Sequence, residues 1–133
     1  MADYTVKRIP EMDSAFLGAF KRARAELGVS AWGMQVVELP PNIDGYPEHD
    51  HAHDGQEEVF VTMSGRGELE VDGETIQLEP DVMVRVGPEA KRKVLTRDSA
   101  IRLLLLGGTP GQVYEPTEIT EIGAPDPMAQ PQA

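Results

Sequence analysis

The hydrophobic residues near the start of the chain follow a helical spacing. Phe16, Phe20, Ala23 and Leu27 are four, three and four residues apart, and mostly charged residues stand between them. This spacing places the four side chains on one face of an α-helix. The pattern predicts a helix over residues 13–27 that packs against the outside of a sheet.

Beyond this helix the hydrophobic period changes from 3.6 to two. Trp32, Met34 and Val36 alternate with other residues until Pro40-Pro41 ends the pattern. Further strand-like segments follow at residues 58–63, 82–86, 92–97 and 100–106. The last of these, AIRLLLL, is apolar on both faces, which predicts a strand in the centre of a sheet.

The clearest local pattern is the stretch GELEVDGETIQL at residues 67–78. Its Asp72-Gly73 pair is typical of a two-residue hairpin turn and sets Val71 opposite Glu74. In that register the apolar side chains share one face of the hairpin and the polar ones share the other. Short strands that are separated by turn signals about every 8–12 residues predict an all-β sandwich or barrel.

The alternation fades after Pro110, and five prolines fall in the last 24 residues. This composition is typical of an arm rather than of further strands. We therefore expect a single domain with three parts. Residues 1–30 form an N-terminal arm and helix, residues 31–108 form the β-barrel, and residues 109–133 form a Pro-rich C-terminal arm. The end of this arm, GAPDPMAQPQA, is expected to be disordered.

The amino-acid composition of the chain argues against some kinds of binding partner. Twenty-three acidic residues against 12 basic ones give a formal net charge of −11. Because affinity for nucleic acid and for anionic membranes depends on Lys and Arg, this charge argues against both. The absence of cysteine excludes a disulfide scaffold and a thiolate metal site. The chain also lacks an apolar run of membrane-spanning length and an apolar signal-peptide core, so we expect a cytoplasmic protein.

All three histidines of the chain, His49, His51 and His53, lie within five residues. Residues two apart in a strand point to the same side, with Cα atoms about 7 Å apart. One metal ion can therefore take the 49/51 pair or the 51/53 pair, but not all three unless the strand kinks. A carboxylate from Glu57 or Glu58 on the next strand would complete a set that suits Fe(II), Mn(II), Ni(II) or Zn(II). The alternative is a solvated loop that is rich in polar residues.

The segment Gly45-x5-His51-x-His53-x4-Glu58-x6-Gly65 resembles the first sequence motif of the cupin superfamily in residue types and in spacing. The resemblance covers residues 31–106. It implies a cupin-like double-stranded β-helix, which is a jelly-roll barrel, with a metal or ligand site inside one end. It also implies that the metal ligands are His51, His53 and Glu58.

The second cupin motif, Gly-x5-Pro-x-Gly-x2-His-x3-Asn, is degenerate in this chain. Its positions are occupied by Asp81, Gly87, Glu89, Arg92 and Thr96. Arg92 therefore stands where the family has a fourth metal ligand. A guanidinium group stays protonated in proteins and does not ligate a metal.

Three arrangements of the pocket remain open at this point. A metal ion could bind through the reduced set His51, His53 and Glu58, or could recruit His49. Arg92 could instead neutralise Glu58 in an ion pair and leave a metal-free pocket. Finally, Arg92 could bind the carboxylate or phosphate of a small ligand bidentately. Each arrangement that uses Arg92 requires its side chain to face the inside of the barrel, and we expect that orientation.

The sequence thus predicts a small-molecule-binding protein in a non-catalytic or regulatory role. Its pocket would be built around His51, His53, Glu58 and Arg92, with His49 as a further ligand-binding residue. The alternative is a metal-dependent enzyme of the dioxygenase or isomerase type that acts on a small organic acid. A divalent metal is the one cofactor expected, and by analogy with small cupins we expect a homodimer.

Overall fold

The computed structural model describes residues 2–129 as nine short strands, one α-helix and two single 3₁₀ turns. The strands are short because turn residues interrupt the apolar alternation every few positions. Their bounds are β1 Ser14–Ala15, β2 Phe20–Lys21, β3 Gly33–Leu39, β4 Glu57–Gly65, β5 Gly67–Val71, β6 Glu74–Leu78, β7 Met83–Val86, β8 Arg92–Leu95 and β9 Ile101–Gly108. The helix, α1, spans Ala23–Leu27, and the 3₁₀ turns span Ile9–Glu11 and Glu118–Thr120.

The strands form two antiparallel sheets that are the walls of a jelly-roll barrel, so the all-β fold class is confirmed. The larger sheet has the order β1-β2-β3-β9-β4-β7, and the smaller one has the order β6-β5-β8. Strand β9 lies between β3 and β4, as its two apolar faces predict. The chain near His49 runs beside β8 and extends the smaller sheet.

The inner faces of the two sheets share one hydrophobic core. Phe60, Leu69, Val94 and Leu103 have no measurable exposure, and each belongs to this core. The hairpin of β5 and β6 has the predicted register, with Val71 opposite Glu74. Agreement between turn type and apolar pattern made this register predictable, because a slip of one residue would expose the buried face.

The predicted helix over residues 13–27 is wrong in extent. Only Ala23–Leu27 is helical, and the preceding residues form β1, a tight turn and β2. Phe16 and Leu17 adopt left-handed backbone angles, with φ of 55° and 56°. Tertiary contacts override the local pattern, because Phe20 pairs with Val37 on the sheet edge.

The C-terminal arm returns to this N-terminal turn. The Asp126 carboxylate accepts hydrogen bonds from the backbone N–H groups of Phe16 and Leu17, at 2.8 and 2.9 Å. The sequence predicts disorder over residues 123–133. Residues 123–129 lie against the N-terminal turn, and residues 130–133 fall outside the described residues. Within the described part, no helix is long and apolar enough to cross a membrane.

Candidate functional site

The backbone of His49 is anchored to β8. The N–H of His49 donates to the carbonyl of Arg92 at 3.1 Å, and the N–H of Arg92 donates back to the carbonyl of His49 at 2.8 Å. This isolated bridge holds the histidine segment alongside the strand that carries Arg92. The sequence predicts that the histidine segment and Arg92 lie near each other, and this pairing of their backbones brings them together.

Three side chains converge at the start of β4. Potential ligand atoms of His49, His51 and Glu58 all lie within 4.8 Å of one another. Nε2 of His51 is 3.9 Å from Oε2 of Glu58. Glu58 faces the inside of the barrel, whereas Glu57 faces outward and pairs with Arg85 at 2.8 Å. Of the two glutamates that the sequence left open, Glu58 is therefore the one in the cluster.

Hydrogen bonds fix how the two imidazoles are presented. Nδ1 of His49 lies 3.1 Å from the carbonyl oxygen of Pro47, and Nδ1 of His51 lies 3.3 Å from a carboxylate oxygen of Asp54. Both neighbours are hydrogen-bond acceptors, so each Nδ1 is placed to donate, and a neutral imidazole that donates from Nδ1 offers its lone pair at Nε2. A hydrogen bond at Nδ1 is the arrangement that orients a histidine so that its Nε2 can ligate a metal ion.

His53 is separated from Glu58 by a change in backbone direction. The N–H groups of Asp54 and Gly55 both donate to the carbonyl of His51, which makes a tight turn where strand alternation would otherwise continue. As a result the side chain of His53 is 75% exposed. It joins a second group, with His51 and Asp54, at the rim of the site. The geometry thus favours the 49/51 pair over the 51/53 pair.

Arg92 faces inward, as the sequence predicts, and has no exposed surface. Its Nη1 lies 3.1 Å from Oε1 of Glu58. Its remaining donors point to the backbone carbonyls of Gly87 and Ala90. Each guanidinium nitrogen thus donates to a protein acceptor, and the contact with Glu58 makes Arg92 the charge partner of that carboxylate.

A cavity of about 860 Å³ adjoins the His49, His51 and Glu58 cluster. Its walls come from the β3 side of the larger sheet, the segment before the histidines, the N-terminal turn and the C-terminal arm. Most of the lining is apolar; among the apolar side chains are Phe16, Leu17, Phe20, Val37, Leu39, Ile43, Leu105, Ile119 and Met128. Arg92 is absent from the described residues of this lining.

Shifted pKa values occur at several titratable groups of the lining, and two of these groups, Tyr46 and Asp54, lie beside the histidine cluster. Burial and the nearby Glu58 carboxylate raise the pKa of Tyr46 above its usual value, so its hydroxyl stays protonated. Burial also raises the pKa of Asp54, but hydrogen bonds from the Gln56 N–H and from His51 outweigh this effect and lower it overall. Asp54 is therefore a carboxylate that can hold the Nδ1 proton of His51.

Sequence reasoning missed several lining residues. Tyr46 and Gln35 carry no motif, and only their position in a three-dimensional pocket distinguishes them. Tyr114 and Met128 belong to the Pro-rich arm, whose composition gave no sign that it covers the cavity. The one signal in that arm was its scattered large apolar residues, which a freely solvated tail does not need.

The two imidazoles and one carboxylate of this cluster are a donor set that fits a divalent transition metal. Each imidazole offers a lone pair, and Oε2 of Glu58 is on the side away from Arg92. The cluster offers three possible ligands and lies in the lining of the cavity, which would leave room for oxygen atoms of a small molecule beside a bound ion.

Comparison with known proteins gives one family and several similar folds. The family model described as Cupin domain matches residues 35–106. A cupin protein from Bacteroides fragilis is 22% identical over 88% of this chain and 93% of its own, with a TM-score of 0.68. A search of curated proteins finds no match.

Two shorter structural matches have different printed roles. The Cupin_2 domain of an XRE-family transcriptional regulator from Enterobacter cloacae is 23% identical over 62% of this chain and 86% of its own, with a TM-score of 0.54. The DMSP lyase DddQ from Ruegeria pomeroyi is 22% identical over 64% of this chain and 42% of its own, also with a TM-score of 0.54. At these identities the likeness shows the fold alone.

Proposed function

The chain belongs to the cupin family, and from this premise we propose that it is a small-molecule-binding protein whose site is the cavity beside His49, His51 and Glu58. The observation that supports this proposal is that a cluster of possible metal ligands lies in the lining of a large, mostly apolar cavity. Pockets for small molecules have this composition, with mostly apolar walls and a few polar groups that fix orientation.

A divalent cation would be held by His49, His51 and Glu58. When bound, such an ion would supply a Lewis-acidic centre that attracts oxygen atoms of a ligand. Arg92 keeps Glu58 in place through Oε1 and leaves Oε2 for the cation. Asp54 and the carbonyl of Pro47 hold the two imidazoles in the tautomer that presents Nε2.

The metal-dependent enzyme remains the second candidate function. The observation that favours it is the position of the three-ligand cluster at the cavity wall, where a bound ion would have free positions for substrate. The sequence resemblance predicts the class of this enzyme, a dioxygenase or an isomerase that acts on a small organic acid. NMR can show whether metal-loaded protein converts an added acid into a product. Such a conversion would favour the enzyme over a protein that only binds the acid.

The test of the proposed site is calorimetric titration with Mn(II) of the wild-type protein and of three alanine variants. We expect one ion per chain for the wild type and affinities at least about tenfold weaker for His49→Ala and His51→Ala. His53→Ala is the matched control and should stay within about threefold of wild type. A loss for His53→Ala with no loss for His49→Ala would overturn this ligand set.

We also propose a homodimer, in line with the sequence expectation. Strand β7 is an edge of the larger sheet, and Met83 on it is 71% exposed. An exposed apolar side chain on an open sheet edge suits pairing with a second copy. Light scattering should give about twice the chain mass of 14.5 kDa. The cytoplasmic location expected from the sequence stays a prediction.

A further inference from the structure

Gln35 has a buried amide oxygen for which residues 2–129 offer no hydrogen-bond partner. Its side chain lies on β3 among the residues that line the cavity, and only 7% of the residue is exposed. Oε1 of Gln35 has no hydrogen-bond partner within the described part of the chain. A buried polar group without a partner costs free energy, so an amide of this kind on a residue that lines a cavity indicates a group that a ligand satisfies.

The sheet register places Gln35 at a distance from the metal-ligand cluster. Gln35 pairs with Leu105, which pairs with Phe60, and Glu58 lies one interior position further along β4. The spacing of strands and the rise per residue put the Cα atoms of Gln35 and Glu58 roughly 12 Å apart. A single ligand that reaches both would carry its two polar groups on different parts of an apolar body, closer together than these Cα atoms because both side chains point into the barrel.

The cluster end of the cavity suits an acidic group. Arg92 offsets the charge of Glu58 at 3.1 Å, so the imidazoles and a bound cation leave this end able to accept an anion. Two glycines let polar side chains approach the sheet at this end. A Cβ added at Gly33 would stand 2.8 Å from the Tyr114 hydroxyl, and one added at Gly107 would stand 2.9 Å from Oε1 of Gln56.

We propose that the occupant is an apolar carboxylic acid that carries a hydroxyl group remote from the acid, with the carboxylate at the His49–His51–Glu58 cluster and the hydroxyl on Gln35. A hydroxyl both donates and accepts, so it satisfies the amide in either orientation of its oxygen and nitrogen. Between the two polar groups, side chains such as Phe20, Val37 and Leu105 pack against the ligand body. This inference rests on the proposed function of the same site.

The test uses matched acids in the presence of Mn(II). The probes are 3-phenylpropanoate, its 4-hydroxyphenyl analogue, and 2-hydroxy-3-phenylpropanoate, which carries the hydroxyl next to the acid. Octanoate and 8-hydroxyoctanoate repeat the comparison on a flexible chain. Dissociation constants come from ligand-observed NMR. We expect each remote-hydroxyl acid to bind about tenfold more tightly than its unsubstituted partner, whereas any gain of the 2-hydroxy acid, which can chelate the cation, should not depend on Gln35.

The variant Gln35→Met keeps the shape of the side chain and removes the amide. It should abolish the preference for the remote hydroxyl and leave the affinity for 3-phenylpropanoate and for Mn(II) within about threefold of wild type. Gln77→Met is the matched control, since Gln77 is exposed on β6, and it should keep the preference. Gln35→Leu serves the same purpose if the methionine variant does not fold.

Two results would overturn this inference. The first is binding of the acids without the preference, or with a preference that survives in Gln35→Met; the proposed binding function would then stand alone. The second is the absence of binding by all five acids at millimolar concentration. Titration with Mn(II) separates the two proposals, because its affinity depends on the histidine cluster and not on Gln35.

Discussion

Arg92 and Glu58 form an ion pair inside the barrel, with 3.1 Å between Nη1 and Oε1. The pair joins β8 to β4 and lies behind the histidine cluster, because the other carboxylate oxygen of Glu58 faces His51. The arginine therefore occupies the position of a family metal ligand and still supports the site through the carboxylate. Its influence on cation binding is electrostatic and positional.

The first prediction concerns the stability of this pair. Arg92→Met should lower the free energy of unfolding by about 3–5 kcal/mol, because it leaves the Glu58 carboxylate without its partner. The double variant Arg92→Met/Glu58→Gln should recover part of that loss. Urea unfolding followed by circular dichroism measures both. Arg97→Met is the control, since Arg97 pairs with Glu68 at the surface, and it should cost no more than about 1 kcal/mol.

The losses of unfolding free energy for Arg92→Met and Glu58→Gln alone should not simply add up to the loss of the double variant. Strict additivity would contradict an interaction between the two side chains. A loss for Arg92→Met as small as that for Arg97→Met would contradict the buried position of Arg92.

The second prediction compares two glycines with similar backbone angles. Gly65 and Gly73 have φ of 76° and 85°. A Cβ at Gly65 would stand 1.9 Å from the carbonyl oxygen of Ala100, whereas a Cβ at Gly73 would meet open space. Gly65→Ala should therefore lower the free energy of unfolding by at least about 2 kcal/mol more than Gly73→Ala. Both variants strain a backbone with positive φ, but only Gly65→Ala also brings a Cβ into the carbonyl oxygen of Ala100. Equal melting temperatures would contradict the close approach of β4 to Ala100.

The third prediction concerns the attachment of the C-terminal arm. Arg22 is 1% exposed and donates to the carbonyls of Ile119 and Ala124 as well as to the carboxylate of Asp13. Arg22→Met leaves these acceptors without a donor, and we expect a loss of about 2–3 kcal/mol. Amide hydrogen exchange in the arm should accelerate at the same time. Arg66→Met, at an exposed position, is the control and should leave exchange in the arm unchanged.

The fourth prediction is the pH dependence of the same attachment. The N–H of Gly123 and the guanidinium of Arg22 lower the pKa of Asp13 below its usual value. A carboxyl group whose pKa is lowered on folding stabilises the folded state above its unfolded pKa, about 3.9, and loses this contribution as the pH falls through the folded value. The stability difference between wild type and Asp13→Asn should therefore be full at pH 6 and shrink below about pH 4. Urea unfolding at a series of pH values measures it. A constant difference across this range would contradict the assignment.

Local sequence patterns were sufficient for much of the barrel. The Asp72-Gly73 turn specified a register that strand alternation also required, and the apolar run at 100–106 specified a central strand. The inward position of Arg92 followed from the alternation of β8. These features depend on residues close in sequence, where turn chemistry and side-chain period suffice.

Two features that sequence did not predict depend on contacts or turns that interrupt a regular element. The apolar spacing at 13–27 indicated a helix, but the carboxylate of Asp126 supports a left-handed turn at Phe16 and Leu17 instead. Of the two histidine pairs that the sequence left open, the geometry favours 49/51, because the turn after His51 takes His53 out of the strand pattern. Neither effect is visible to a pattern that assumes one regular element throughout.

The most direct measurement of the proposed site is the anomalous difference density of crystals grown with Mn(II). The account predicts one peak per chain within coordinating distance of His49, His51 and Glu58, with Arg92 still paired to Glu58. A peak held by His51, His53 and Asp54 would contradict it, and so would the absence of any peak on the histidine cluster.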